Sequence, residues 1–100
     1  MSTQVISDAE TALAHLERLT EELRSRGWTV ELSAPADRWP CAIVSDPRTP
    51  AADENVIAAK ERSGDTWSYF YGWGERIAPC SDPAAAAAAL GRVFAARRDN

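Results

Sequence analysis

Lysine, histidine, cysteine and long apolar runs are all scarce in this chain. Lys60 is the only lysine and His15 the only histidine, and Cys41 and Cys80 are the only cysteines among 100 residues. One histidine and two cysteines, with no CxxC spacing, cannot supply a four-ligand structural zinc site without carboxylates. Two cysteines in a reducing compartment read as small buried hydrophobes rather than a disulfide framework. The longest apolar run, Ala84 to Leu90, is mostly alanine and falls far short of the roughly 20 residues that a membrane span needs. Met1-Ser2-Thr3-Gln4 carries no basic segment of the kind that opens a signal peptide. The expectation is therefore a cytoplasmic protein with no membrane partner.

A surplus of positive charge is missing as well. The net charge is −4 and the pI about 4.9, so the chain lacks the Lys/Arg excess that neutralises phosphates, and nucleic acid is an unlikely partner. The preference for arginine over lysine and the abundance of alanine fit the codon usage of a high-GC bacterial genome. No GxSxG, HExxH, P-loop or GxGxxG pattern occurs. Asp53-Glu54 lacks the spacing of an EF-hand loop and reads as part of a solvated loop. No catalytic residue, cofactor or metal ligand is assigned, and an enzyme is the less favoured reading. Cys80, placed before a helix start, is the better of two weak nucleophile candidates.

The residues that are present suit one folded domain spanning 1–100, with 45% hydrophobic and 26% charged residues. Ser7-Asp8-Ala9-Glu10 reads as a capping box that opens a helix. Ala9, Ala12, Leu13, Leu16, Leu19 and Leu23 form its apolar stripe, His15 lies on the flank, and Gly27 ends it. Glu22 and Arg26 stand at i,i+4 in the favourable order. Trp28 to Ser33 alternates with Trp28, Val30 and Leu32 inward, and Cys41 to Ser45 is a second short strand. Asp46 to Asp53, with two prolines, is the longest loop. Asn55 to Glu61 reads as a third strand, with helix as the competing reading. Ser63-Gly64-Asp65-Thr66 has the chemistry of a hairpin loop. Arg76-Ile77-Ala78 suggests a short edge strand. Ser81-Asp82-Pro83 caps a last helix, with Ala86, Ala87, Leu90, Val93 and Phe94 as its stripe. The fold class expected is α+β: an N-terminal helix, an antiparallel meander of about four strands, and a C-terminal helix.

The most unusual segment is Trp67-Ser68-Tyr69-Phe70-Tyr71-Gly72-Trp73. As a strand it points Trp67, Tyr69, Tyr71 and Trp73 to one face. Either these four form the core beneath the helices, or they line the face that the helices leave open. Each can bury roughly 150–250 Å², so an open row of four would exceed the apolar patch that a monomer normally exposes. On the second alternative they are the candidate binding residues.

The order helix, meander, helix is similar to the secretion-chaperone-like α+β fold, in which a twisted sheet flanked by helices often dimerises. That resemblance covers the whole chain and rests on element order. The segment from Trp67 to Pro79, with Tyr69-Phe70-Tyr71-Gly72-Trp73 followed by Glu75-Arg76-Ile77-Ala78-Pro79, looks like small proteins of high-GC Gram-positive bacteria, and it implies no functional residue. The expected function is a non-catalytic protein-interaction domain, chaperone-like or regulatory, engaging a protein partner or itself as a homodimer. The alternative is a small-molecule-binding or enzymatic domain with a pocket between the sheet and the first helix.

Overall fold

Two amphipathic helices must bury their apolar stripes, and a single sheet offers them two faces. In the computed structural model both helices take the same one. The structure describes the chain apart from positions 1, 37, 50–52, 63, 65, 99 and 100, and describes residues 2–7 and 98 by backbone only. The elements run α1 (Ser2–Ser25), β1 (Thr29–Ser33), β2 (Cys41–Ser45), β3 (Asp53–Lys60), β4 (Trp67–Tyr71), β5 (Arg76–Pro79) and α2 (Pro83–Arg98). The five strands form one antiparallel meander in sequence order, one strand more than the four that alternation alone suggests. The fifth is the short edge strand expected at Arg76.

Helix α1 begins at Ser2, five residues before the expected start. Ser7 therefore lies within the helix and Ser7–Glu10 is not its N-terminal capping box. Nothing in residues 2–6 breaks a helix, so the local capping signal does not set the boundary. The other end is as read. Gly27 adopts a left-handed φ of 87°, and its N–H donates to the Arg24 carbonyl at 3.0 Å while that of Trp28 returns to the Leu23 carbonyl at 3.2 Å. Glu22 and Arg26 meet at 3.0 Å. At the start of α2 the N–H of Ala85 donates to the Asp82 carboxylate at 3.1 Å, with Pro83 as the first helical residue.

The register assigns each strand's two faces. Val30 pairs with Val44 and Leu32 with Ala42, Ala42 with Val56, Val56 with Tyr71 and Ala58 with Tyr69, and Tyr69 with Ala78. These residues face the helices, where Leu16, Leu19 and Leu23 of α1 and Leu90 and Phe94 of α2 meet them in one core. Each of the leucines, the valines and Phe94 contributes roughly 1.5–3 kcal/mol on full burial. The intervening residues form the other face: Glu31 on β1, Cys41 and Ile43 on β2, Asn55, Ile57 and Ala59 on β3, Ser68 and Phe70 on β4. No described helix covers them; Ser68 is nevertheless buried, its hydroxyl donating to the Glu61 carboxylate at 2.8 Å, and Cys41, Ile43, Ile57, Ala59 and Phe70 are half-buried.

Two backbone details finish the sheet. Continuing the β2–β3 register places Pro40 opposite Ala58, and proline has no N–H to offer. The Trp39 indole N–H donates to the Ala58 carbonyl instead, at 2.9 Å. At the β1 edge, Arg24 donates to the Val30 carbonyl at 2.8 Å. That bond occupies a backbone acceptor on a strand with hydrogen-bonded neighbours on one side alone, and so blunts the edge against strand addition.

The asymmetry between the faces has a measurable consequence. Leu16→Ala, at the centre of the covered side, should cost about 2–5 kcal/mol, whereas Ile57→Ala on the bare side should cost no more than about 1 kcal/mol. Urea midpoints at unchanged m-value check this. Equal losses would mean that the outer face is packed in the isolated protein.

Candidate functional site

The aromatic segment divides where the strand ends. Strand β4 closes at Tyr71, two residues short of the seven-residue strand expected, because the chain turns there. The N–H of Gly74 donates to the Tyr71 carbonyl at 2.8 Å, and Gly74 takes a φ of 104° that other residues adopt only at a cost. Tyr69 (0% exposed) and Tyr71 (3%) lie within the core, and half-buried Trp67 packs against it. These three point towards the helices, so the alternative of a row lining the open face does not describe them. Trp73 sits at the tip of the β4–β5 turn and is 60% exposed. Its ring stacks on Tyr71, with centroids 4.4 Å apart and planes 5° from parallel.

On the inner side β4 gathers the chain's less common side chains. The Tyr69 hydroxyl donates to the His15 carbonyl on α1 at 2.6 Å, and the ring of His15 lies 5.3 Å from that of Trp67. Arg18 donates to Nδ1 of His15. A guanidinium only donates, so the contact suits a His15 ring whose Nδ1 accepts. Burial, and then the charge of Arg18, lower the His15 pKa from 6.5. The Cys80 thiol lies beside the Tyr69 hydroxyl, 2% exposed. Burial pushes it up to about 12, against the opposing pull of Arg18 and of the tyrosine hydroxyl. Cys80 does precede α2, but its surroundings make it a weakly ionised packing residue rather than an activated nucleophile. Cys41 is the half-buried thiol, on the outer face.

Asp53 and Glu54 fall on β3 rather than in a solvated loop. Alternation separates them: Asp53 is outward and exposed, while Glu54 is inward, 5% exposed, and paired with Arg97 of α2. Arg97 also lies 5.7 Å from the Phe94 ring centroid. The pairing holds the last turn of α2 against the sheet, and Arg97 complements that helix's negative end. Among the described residues no group of three or more His, Cys, Asp or Glu side chains could hold a metal ion, and no helix is long and apolar enough to cross a membrane.

The layer between α1 and the sheet, where a pocket was the alternative expectation, is filled by Leu16, Leu19, Leu23, Val44, Val56 and Tyr69. At its margins α1 borders two depressions, one of about 200 Å³ with Ala9, Leu13, Pro35 and Pro40 in its wall and one of about 420 Å³ between Thr20, Arg24 and Leu32. Two larger ones lie on the outer face. One depression of about 540 Å³ is formed chiefly by Ile57, Ala59 and Phe70, with Lys60 and Arg62 at its margin. A second, of about 660 Å³, is formed by Ile43, Asp53, Glu54, Asn55, Gly72 and Trp73. Ile57 and Phe70 are direct cross-strand partners, and sequence reasoning passed over both. Their signal was present in the alternation of β3 and β4, but which parity faces solvent is decided by where the helices lie. Comparison with protein-family models, with curated proteins and with solved structures returns no match.

Two measurements follow. A thiol reagent added to the native protein should modify Cys41 first and Cys80 only as the protein unfolds; fast reaction of both would contradict the burial of Cys80. Because the folded-state pKa of His15 lies below 6.5, the unfolded chain binds the extra proton more readily. The fold should therefore lose stability as pH falls below about 6.5, and His15→Gln should flatten that slope between pH 7 and 5 in urea titrations.

Proposed function

We propose that this chain is a non-catalytic protein-interaction domain, chaperone-like or regulatory, that engages a protein partner or a second copy of itself through the open face of its sheet. The observation that carries this reading is the one-sided placement of the helices. Both pack on the Tyr69 side of the sheet, and the opposite side presents Ile43, Ile57 and Phe70, with Ala59 and Cys41 between and beside them. An apolar centre with Glu31, Asp53, Asn55 and Arg76 around it has the anatomy of a recognition surface, apolar within and polar at the rim.

Size and the state of the β1 edge support the same reading. Five strands spaced about 4.8 Å apart and five residues long span roughly 20 by 17 Å. That footprint is well under the roughly 800 Å² per partner of a standard stable interface, so the face suits a reversible contact. Addition of a strand at β1 is the competing mode of association, and Arg24 already occupies the Val30 carbonyl there. The aromatic contribution in this arrangement comes from Phe70 and Trp73, while Trp67, Tyr69 and Tyr71 support the fold beneath.

A photocrosslinking residue placed in cells at position 70 or 57 tests the proposal against the same residue at exposed position 10 on α1. Protein adducts from the outer-face sites alone are expected, and an adduct of twice the chain mass would identify a second copy. Equal labelling from position 10, or no adduct from the outer face together with monomeric sedimentation, would overturn it.

A further inference from the structure

Trp73 sets the chemistry of one end of the open face. A single exposed aromatic is ordinary on a protein surface, but this one is pre-positioned. One side of its ring lies flat on Tyr71, and the ring borders the depression shared with Ile43, Asp53, Asn55 and Gly72. Gly72 keeps that depression open: a β-carbon there would come within 3.2 Å of the Asn55 side chain. Asp53 supplies the charge. Its Oδ1 accepts from the Ser45 hydroxyl at 2.7 Å, which leaves Oδ2 for a donor from outside. Glu54, bordering the same space, already faces Arg97. An aromatic face and a solvated carboxylate at one opening are the two features that attract a cationic side chain.

The neighbouring depression differs. Ile57, Ala59 and Phe70 make it apolar. Asn55 in the depression beside Trp73 and Ile57 in the apolar one are two residues apart along β3, roughly 7 Å. The same spacing separates side chains i and i+2 of an extended peptide. From this juxtaposition, and resting on the interaction reading above, we infer that the open face recognises an extended segment of a partner protein. It seats an apolar side chain over Ile57 and Phe70, and a lysine or arginine two residues away between Trp73 and Asp53. The net charge of −4 favours approach of such a basic segment.

The test uses the intact chain and a capped tripeptide, leucine–serine–arginine, with citrulline and glutamate versions as neutral and acidic controls. Indole N–H resonances of the four tryptophans are followed by NMR, that of Trp73 being assigned from Trp73→Phe. The arginine peptide should shift the Trp73 signal and leave that of core Trp28 in place, and the citrulline and glutamate peptides should bind more weakly. Asp53→Asn and Trp73→Ala, both at exposed positions, should each weaken binding by about two- to fivefold. Raised salt should reduce the arginine peptide's advantage over citrulline.

Equal shifts from the arginine and glutamate peptides would overturn the inference, as would undiminished binding to Asp53→Asn. So would saturation with the arginine peptide that moves outer-face backbone signals but not Trp73. Crosslinks from position 70 alongside any of these results would leave the interaction reading standing and remove only the basic-segment specificity. No crosslinks and no peptide response would remove both.

Discussion

Tyr69 sits where the sheet meets both helices of this small protein, and the remaining structure is arranged around keeping it there. Its ring is buried beneath both helices in the middle of β4, and its hydroxyl must find a partner because an unpaired buried hydroxyl is costly. The His15 carbonyl provides one at 2.6 Å, across 54 residues of sequence. That bond fixes the sheet against α1, while Cys80 beside the same hydroxyl begins the run into α2. Every buried side-chain nitrogen or oxygen that the structure describes has a partner, so the core is polar only where it is satisfied.

Seating Tyr69 and Tyr71 inward forces the rest. Side chains alternate strictly along a strand, so Phe70 must point away from the helices, and its cross-strand partner Ile57 goes with it. The sheet therefore spends its larger aromatics on the core and presents a smaller apolar strip to the outside. The turn after Tyr71 then takes Trp73 out of the alternation, and the ring comes to rest on Tyr71. The same residue that closes the core supports the exposed tryptophan, which is how core packing and the outer surface come to be physically continuous.

The sequence was most legible where a local pattern and a local partner coincide. The apolar stripe of α1, the Gly27 termination, the Asp82–Pro83 start of α2, the Glu22–Arg26 pair and strand β2 all depend on residues within a turn or two of one another. It was least legible where distance decides. The capping signal at Ser7 is real as a pattern, yet the helix runs back to Ser2. Asp53-Glu54 resembled solvated loop until β3 took both residues, and only the approach of Arg97, 43 residues away, explains a buried Glu54.

Periodicity by itself established that this chain makes two helices around an antiparallel meander, because three- and four-residue spacing and two-residue alternation are written in adjacent residues. It also established that Trp67, Tyr69 and Tyr71 share one face. It had no means of telling which face that was. The answer depends on where two helices at opposite ends of the chain come to rest, and alternation is symmetric with respect to that choice. The tertiary structure breaks the symmetry by packing both helices on the tyrosine side. It thereby makes those residues core, leaves Ile57 and Phe70 on the opposite face, and leaves Trp73, past the turn, exposed.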